Sequence, residues 1–348
     1  MLKYPIAMAL VAAALFGAAT PASKWLLDAL TPFQLAGLLY LGGGLGVVPA
    51  AWREGGLRLP PRADRKNRIR LGAAVVIGGV LGPILLLTGL HLASAASVSL
   101  WLNLELAATA VLGAAFFRDH LGPVGWLGAL LSLTASVLLS SAAGPAGLGA
   151  GGLVFLACVC WGLDNHLTAL IDSMTPSQIA FWKGVVAGSV NLAVGFSCVP
   201  LHVGLSILSA ALLVGACSYG ASIILYVASA QRLGATRAQI VFSSAPFIGI
   251  ALSATILHES LSVTHLVSAA LFVAALAFLL LEHHVHVHAH EALGHEHVHS
   301  HDDGHHDHGH AGLSTTACHT HRHEHERLVH AHKHWPDLFH RHKHGPAV

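Results

Sequence analysis

Charge is what this chain most lacks. Asp, Glu, Lys and Arg make up 10% of its 348 residues, where a soluble globular domain carries roughly 25%. None of the four occurs between Leu121 and Leu163, and between Leu71 and Phe117 the ionisable residues are His91 and Glu105. Stretches like these belong in lipid, which argues against a water-soluble enzyme and gives no basic surface for nucleic acid. Cysteine is scarce too: five residues, widely scattered, make no disulfide framework. Cys158 and Cys160 lie two apart and would point to nearly opposite sides of a helix, which suits packing better than a redox or metal pair. There is no Walker motif, no HExxH and no nucleophile elbow. The glycines sit inside apolar runs rather than after a strand, so a phosphate cradle is not expected and an ion gradient is the more economical driver.

What is present is apolar length. Hydrophobic residues make up 54% of the chain and the mean hydropathy is +0.64. The runs are continuous rather than alternating, which favours helices over a membrane barrel. About 20 residues at about 1.5 Å each cross a hydrocarbon core of roughly 30 Å. Ten spans are predicted, at 5–23, 32–51, 71–91, 94–117, 121–140, 151–171, 177–198, 207–229, 237–257 and 263–281. Met1-Leu2-Lys3 and the Ala-rich run after it read as a retained first helix rather than a cleaved leader, because the run continues past Lys24 into a pattern that recurs later. The link after the second span carries Arg53, Arg58, Arg62, Arg65, Lys66, Arg68 and Arg70, which makes it cytoplasmic by the positive-inside rule. Arg118, Arg232 and Arg237 fall on the same side, and an even number of spans puts both termini there. The expected location is a bacterial cytoplasmic (inner) membrane.

The halves echo each other. Phe16-Gly17 followed by Thr31-Pro32-Phe33-Gln34 is matched by Trp161-Gly162 followed by Thr175-Pro176-Ser177-Gln178, and Asp119-His120-Leu121 by Glu259-Ser260-Leu261. Five spans per half force the second half to enter from the opposite side. An inverted repeat with a site at its midplane is a transporter architecture.

The residues ALFGAATPASKWLLDALTPFQLAGLLYL and SAASVSLWLNLELAATAVLGAAFFRDHLG of the first half, with CVCWGLDNHLTALIDSMTPSQIAFWKG and RLGATRAQIVFSSAPFIGIALSATILHESLS of the second, resemble the EamA family of the drug/metabolite transporter superfamily. The resemblance covers about residues 5–281. It implies an all-α polytopic fold of ten transmembrane helices in two inverted five-helix repeats, 1–142 and 151–281, with cytoplasmic termini. It also implies a central substrate cavity lined mostly by the first four helices of each half. In one respect the chain departs from the family, whose members often carry proline in the fourth helix of each half. Pro246 is present in the second half, but the first has Glu105 near the equivalent place.

Glu105 is the leading candidate for chemistry. A charge at the middle of a span costs about 2.5–3.5 kcal/mol on insertion scales, so it must face protein, a partner charge or a water-filled cavity. Trp101, Ala108 and Thr109 are spaced to share its face. It reads as a substrate or proton site, or as a hydrogen-bonded strut between helices. Asp164, Asn165 and His166 form a polar cluster in span six. Asp164 is a second candidate site residue, or else the salt-bridge partner of Lys183. With Asn103, Asn165 and Lys183 these residues make up the candidate substrate or proton site. Asn103, Asn191 and Gln239 also suit interhelical hydrogen bonds, and Lys24 is expected to snorkel to the outer surface.

Beyond Leu281 the composition changes. Of 29 histidines, six precede it (His91, His120, His166, His202, His258 and His265), leaving 23 in residues 282–348. Few apolar residues accompany them, so this domain is expected to be a disordered tail. Neutral imidazoles favour Zn, Ni, Co and Cu. The candidate metal ligands are His284, His286, His288 and His290, then His305, His306, His308 and His310, then His319, His321, His323 and His325. No cofactor is required for the membrane part; a divalent transition metal (Zn, Ni or Co) is the tail's expected ligand. Two functions therefore stand at this stage. One is a permease for a small metabolite or drug with a metal-binding tail. The other is a divalent metal transporter whose tail collects or senses the ion. Lipid, a small-molecule substrate and metal ions are the expected partners, nucleic acid is not, and a homodimer is compatible with either.

Overall fold

Two helix starts with the same chemistry organise the membrane part. The computed structural model describes residues 3–117, 121–200, 202–233, 241–281, 284–290, 293–299, 319–325 and 328–334. The chain divides into two units, one holding the helices and the other the strands. In the first, the order is α1 (Lys3–Gly17), α2 (Ala19–Leu26), α3 (Pro32–Arg53), α4 (Arg65–Ala74), a π-helical segment Val75–Leu81, α5 (Gly82–Leu92), α6 (Ala95–Trp101) and α7 (Leu104–Phe116). There follow α8 (Pro123–Ala142), α9 (Gly144–Ala169), α10 (Pro176–Cys198), α11 (Leu205–Gly215), a second π segment Ala216–Ala221, α12 (Ser222–Leu233), α13 (Ala245–Ile256) and α14 (Val263–Leu281). Among the described residues, eight helical stretches are long and apolar enough to cross a membrane, and α13 and α14 supply two shorter ones.

Thr31 and Thr175 open α3 and α10 with full capping boxes, and proline follows each at the first helical position. The side-chain amides of the two boxes then do something the local motif does not require. Gln34 Nε2 donates to Val199 O, just past the end of α10 (2.9 Å), and Gln178 Nε2 donates to Gly56 O, just past the end of α3 (2.8 Å). Each helix start thus caps the other's end, so α3 and α10 run antiparallel. They approach closely because glycines face the crossing. A Cβ built on Gly184 would lie 2.6 Å from Tyr40 O, and one on Gly188 would lie 2.9 Å from Gly37 O. Small residues at such a crossing are the usual route to tight packing in lipid, where no hydrophobic force draws helices together.

Other helix ends are closed by side chains from distant parts of the chain. Lys24, expected to snorkel to the outer surface, donates to Leu90 O and Ala93 O, at 2.8 Å each, where α5 ends. Orphan carbonyls at a helix C-terminus attract an ammonium that would otherwise have to find water. Glu259 accepts from Ala95 N and Ala96 N, at 2.8 Å each, and so caps α6. Both ends meet one core, in which Trp101, Leu87, Leu90, Val98 and Phe272 are almost fully buried.

The fourth span runs from Ala95 to Phe116 as expected, with a tight turn at Leu102-Asn103 where Asn103 Nδ2 donates back to Leu100 O (2.9 Å). One expectation needs correction. The sixth span begins at Gly144 rather than near 151, because Gly144 at φ 69° makes the turn out of α8 by itself and Pro145 starts the next helix. The second unit holds four strands. β1 (His284–His290) pairs antiparallel with β4 (Leu328–His334), and β2 (Leu293–His299) with β3 (His319–His325). Histidine at alternate positions matches the two-residue repeat of a strand. The registers set His284, His286 and His288 opposite His334, His332 and His330, and His295, His297 and His299 opposite His323, His321 and His319. Arg118, Asp119, His120, Arg237, Gln239 and the cluster His305, His306, His308 and His310 lie outside the described residues.

Candidate substrate cavity

The site is built around two places where the regular helix gives way. In the Val75–Leu81 π segment the carbonyls no longer all find partners within their own helix. Gly78 O accepts from Tyr40 Oη (2.7 Å) and Trp161 Nε1 (3.0 Å), and Gly79 O accepts from Asn191 Nδ2 (3.2 Å). The segment is therefore pinned from α3, α9 and α10. Gly78 also leaves space that α9 uses: a Cβ there would overlap the Asp164 carboxyl. The second irregularity is the turn at Leu102-Asn103, which starts α7 inside the membrane and puts Glu105 in its first turn.

Between them lies a cavity of about 140 Å³, lined by Glu105, Asp164, Asn165 and Lys183, by the aromatic residues Phe16, Tyr40, Trp161 and Tyr219, and by Gly43, Gly44, Ala180, Gly184 and Ile223. Lys183 Nζ and Asp164 Oδ2 are 2.5 Å apart, and Asp164 Oδ1 accepts from Thr168 Oγ1 (3.1 Å). Glu105 Oε1 accepts from Asn165 Nδ2 (3.2 Å), which also reaches Thr109 Oγ1 (3.3 Å). Four of the five expected site residues thus meet in one cavity. Asn103 does not line it; its amide is used at the break in its own span. His166 is also absent from the lining: its Nε2 lies 2.9 Å from Thr109 O and its ring stacks on Phe117.

The sequence reading missed the rings. Phe16 and Tyr40 both pack on Tyr219, with centroids 5.9 and 5.8 Å apart. Their signal was available, since a tyrosine inside an apolar span needs a partner for its hydroxyl, but only the fold reveals that α1, α3, α9 and the second π segment bring these rings together.

The model of the EamA-like transporter family matches residues 3–141 and 150–281, most of the chain. The chain belongs to that family. An uncharacterized transporter from Methanothermobacter thermautotrophicus (strain Delta H) is 26% identical over 270 residues, 71% of this chain and 78% of the relative. A solved crystal structure shares the fold at a TM-score of 0.58 and 18% identity, covering 81% of this chain and 99% of the other. This EamA-like protein is therefore a multi-pass membrane transporter. Within it, Glu105 is the second residue of α7 and Pro246 the second residue of α13, each just beyond a turn, at Leu102-Asn103 and at Ser243-Ser244.

Proposed function

We propose that this transporter is a secondary-active permease. It carries a small metabolite or drug through the Glu105 cavity by alternating access between two inverted halves, residues 1–142 and 151–281. The convergence of Glu105 from one half with Asp164, Asn165 and Lys183 from the other carries this reading, because a cavity shared by both halves can change its opening when they rock. The reciprocal capping of α3 and α10 supports it: a pair related in this way has the same contacts when viewed from either side of the membrane. In this reading the termini are cytoplasmic, the membrane is the bacterial inner membrane, and the tail binds Zn, Ni or Co without being needed for folding of the helical unit.

A second reading, a divalent metal transporter whose tail collects the ion, is favoured by one observation: 23 histidines lie in residues 282–348. The two separate in proteoliposomes. Uptake of an amino-acid and metal panel is compared for the intact protein, protein lacking residues 283–348, and Glu105→Gln. The first reading expects organic-substrate flux that survives loss of the tail and collapses in Glu105→Gln. Metal flux that vanishes with the tail and ignores Glu105 would reverse the ranking.

A further inference from the structure

We propose that the histidine tail holds divalent transition metal across its strands: each two-stranded ladder clamps an ion between histidines of both its strands, and the ion is what keeps the strands paired. The proposal rests on the reading, above, that the tail binds Zn, Ni or Co, and says where and how it does so.

The register carries it. In the ladder of β1 and β4, His284, His286 and His288 stand opposite His334, His332 and His330. In the ladder of β2 and β3, His295, His297 and His299 stand opposite His323, His321 and His319. All but two of the histidines in these strands are matched with another histidine; His290 and His325 each stand opposite a leucine at a ladder end. Opposite residues of an antiparallel pair lie on one face, and so do residues two apart along a strand. Each ladder therefore gathers its histidines on a single face. A slip of one residue would send one strand's histidines to the other face, so the observed register is one that brings them together. Opposite Cβ atoms are about 4.5–5.5 Å apart, and successive rungs on a face about 6.8 Å, twice the rise per residue. Two adjacent rungs thus group four imidazoles, the donor number of a tetrahedral Zn²⁺ site with nitrogens at about 2.0–2.1 Å.

Little else would hold these ladders. A lone two-stranded ladder is marginal in water. The face away from the histidines is Val, Ala and Lys333 in one ladder, and in the other it is polar, with Glu296 opposite Arg322. Pairing β1 with β4 must also close the long loop from His290 to Leu328. A clip that closes a long loop stabilises by removing entropy from the unpaired chain. Metal ligated from both strands is such a clip, which makes metal binding and strand pairing one event. The donors select the ion, since imidazole suits Zn, Ni, Co and Cu whereas Mg²⁺ takes oxygen.

The experiment follows amide hydrogen exchange by mass spectrometry on the purified full-length protein, in Zn²⁺, in Mg²⁺ and in chelator, with Zn²⁺ binding measured alongside by calorimetry. Zn²⁺ alone is expected to slow exchange at least tenfold across residues 284–290, 293–299, 319–325 and 328–334. The variant His330→Gln/His332→Gln/His334→Gln decides between ligation across strands and along them, because every histidine of β1 stays in place. Protection of 284–290 should be lost in it, while 293–299 and 319–325 keep theirs. Removing as many histidines beyond β4, in His340→Gln/His342→Gln/His344→Gln, should leave both ladders protected. Zn²⁺ bound without protection, or protection of 284–290 that survives loss of the β4 histidines, would overturn the cross-strand sites and leave the metal-binding tail standing. Equal protection in Mg²⁺ or chelator, or equal loss in the variant beyond β4, would overturn them as well. No binding of Zn²⁺ would overturn both the cross-strand sites and the metal-binding tail.

Discussion

Removing the Lys183 side-chain charge should destabilise this protein by an amount that the geometry of its partner sets. In Lys183→Met, Asp164 loses its counter-ion while its side chain stays 5% exposed, and the Thr168 hydroxyl, which donates to Oδ1 (3.1 Å), is the one hydrogen bond to the carboxylate that remains among the described residues. Breaking a buried pair from one side costs about 3–5 kcal/mol, because the charge left behind is neither solvated nor paired. At roughly 2–4 °C per kcal/mol, thermal unfolding in detergent should drop by about 6–20 °C. The double variant Asp164→Asn/Lys183→Met, which leaves no unpaired charge at this pair, should recover most of the loss. A double variant no better than the single one would refute the reasoning and show that Lys183 acts by packing alone.

Two further outcomes follow from the same geometry. Gly184→Ala places a methyl group 2.6 Å from Tyr40 O and 2.7 Å from Gly44 N, both backbone atoms that cannot swing away. The α3–α10 crossing must open, at a cost of about 1–3 kcal/mol; an unfolding temperature within 1 °C of the parent would show that the crossing tolerates it. Asp64 caps α4 and accepts from Asn67 N (3.1 Å) and Asn67 Nδ2 (2.7 Å), bonds that hold its carboxyl below the usual carboxylate range. Because the folded value is the lower one, its contribution is complete above the unfolded value near 3.9 and is lost as the pH falls through the folded value. Asp64→Asn should therefore be less stable than the parent at neutral pH, with the gap closing below about pH 4. A gap that stays constant from pH 7 to pH 3 would rule out the cap as its cause.

How much of this was legible beforehand differs from one feature to the next. Membrane residence and helical class follow from composition, because lipid leaves a backbone no other way to satisfy its hydrogen bonds. Capping boxes at Thr31 and Thr175 were readable, since they join residues three apart. Glu105 and Asp164 stood out because a lone carboxylate in an apolar run demands an explanation. Their environment did not stand out. That Lys24 and Glu259 close helices far from them in sequence, that Asn103 serves a break rather than the cavity, and that four rings from separate elements line the same cavity as Glu105 are consequences of which helices touch. No local pattern contains that information: the Lys24 and Glu259 bonds join residues 60 or more positions apart, and even the Asn103 bond, three residues long, could be told from a cavity contact only after the bundle had formed. The histidine tail divides in the same way: its two-residue repeat is visible in the sequence, whereas which strand pairs with which depends on a partner segment about 20–50 residues away. The chain alone determined which residues cannot live in lipid unaccompanied. The tertiary structure decided what accompanies them, because only packing brings a counter-charge, an amide or an aromatic face within reach.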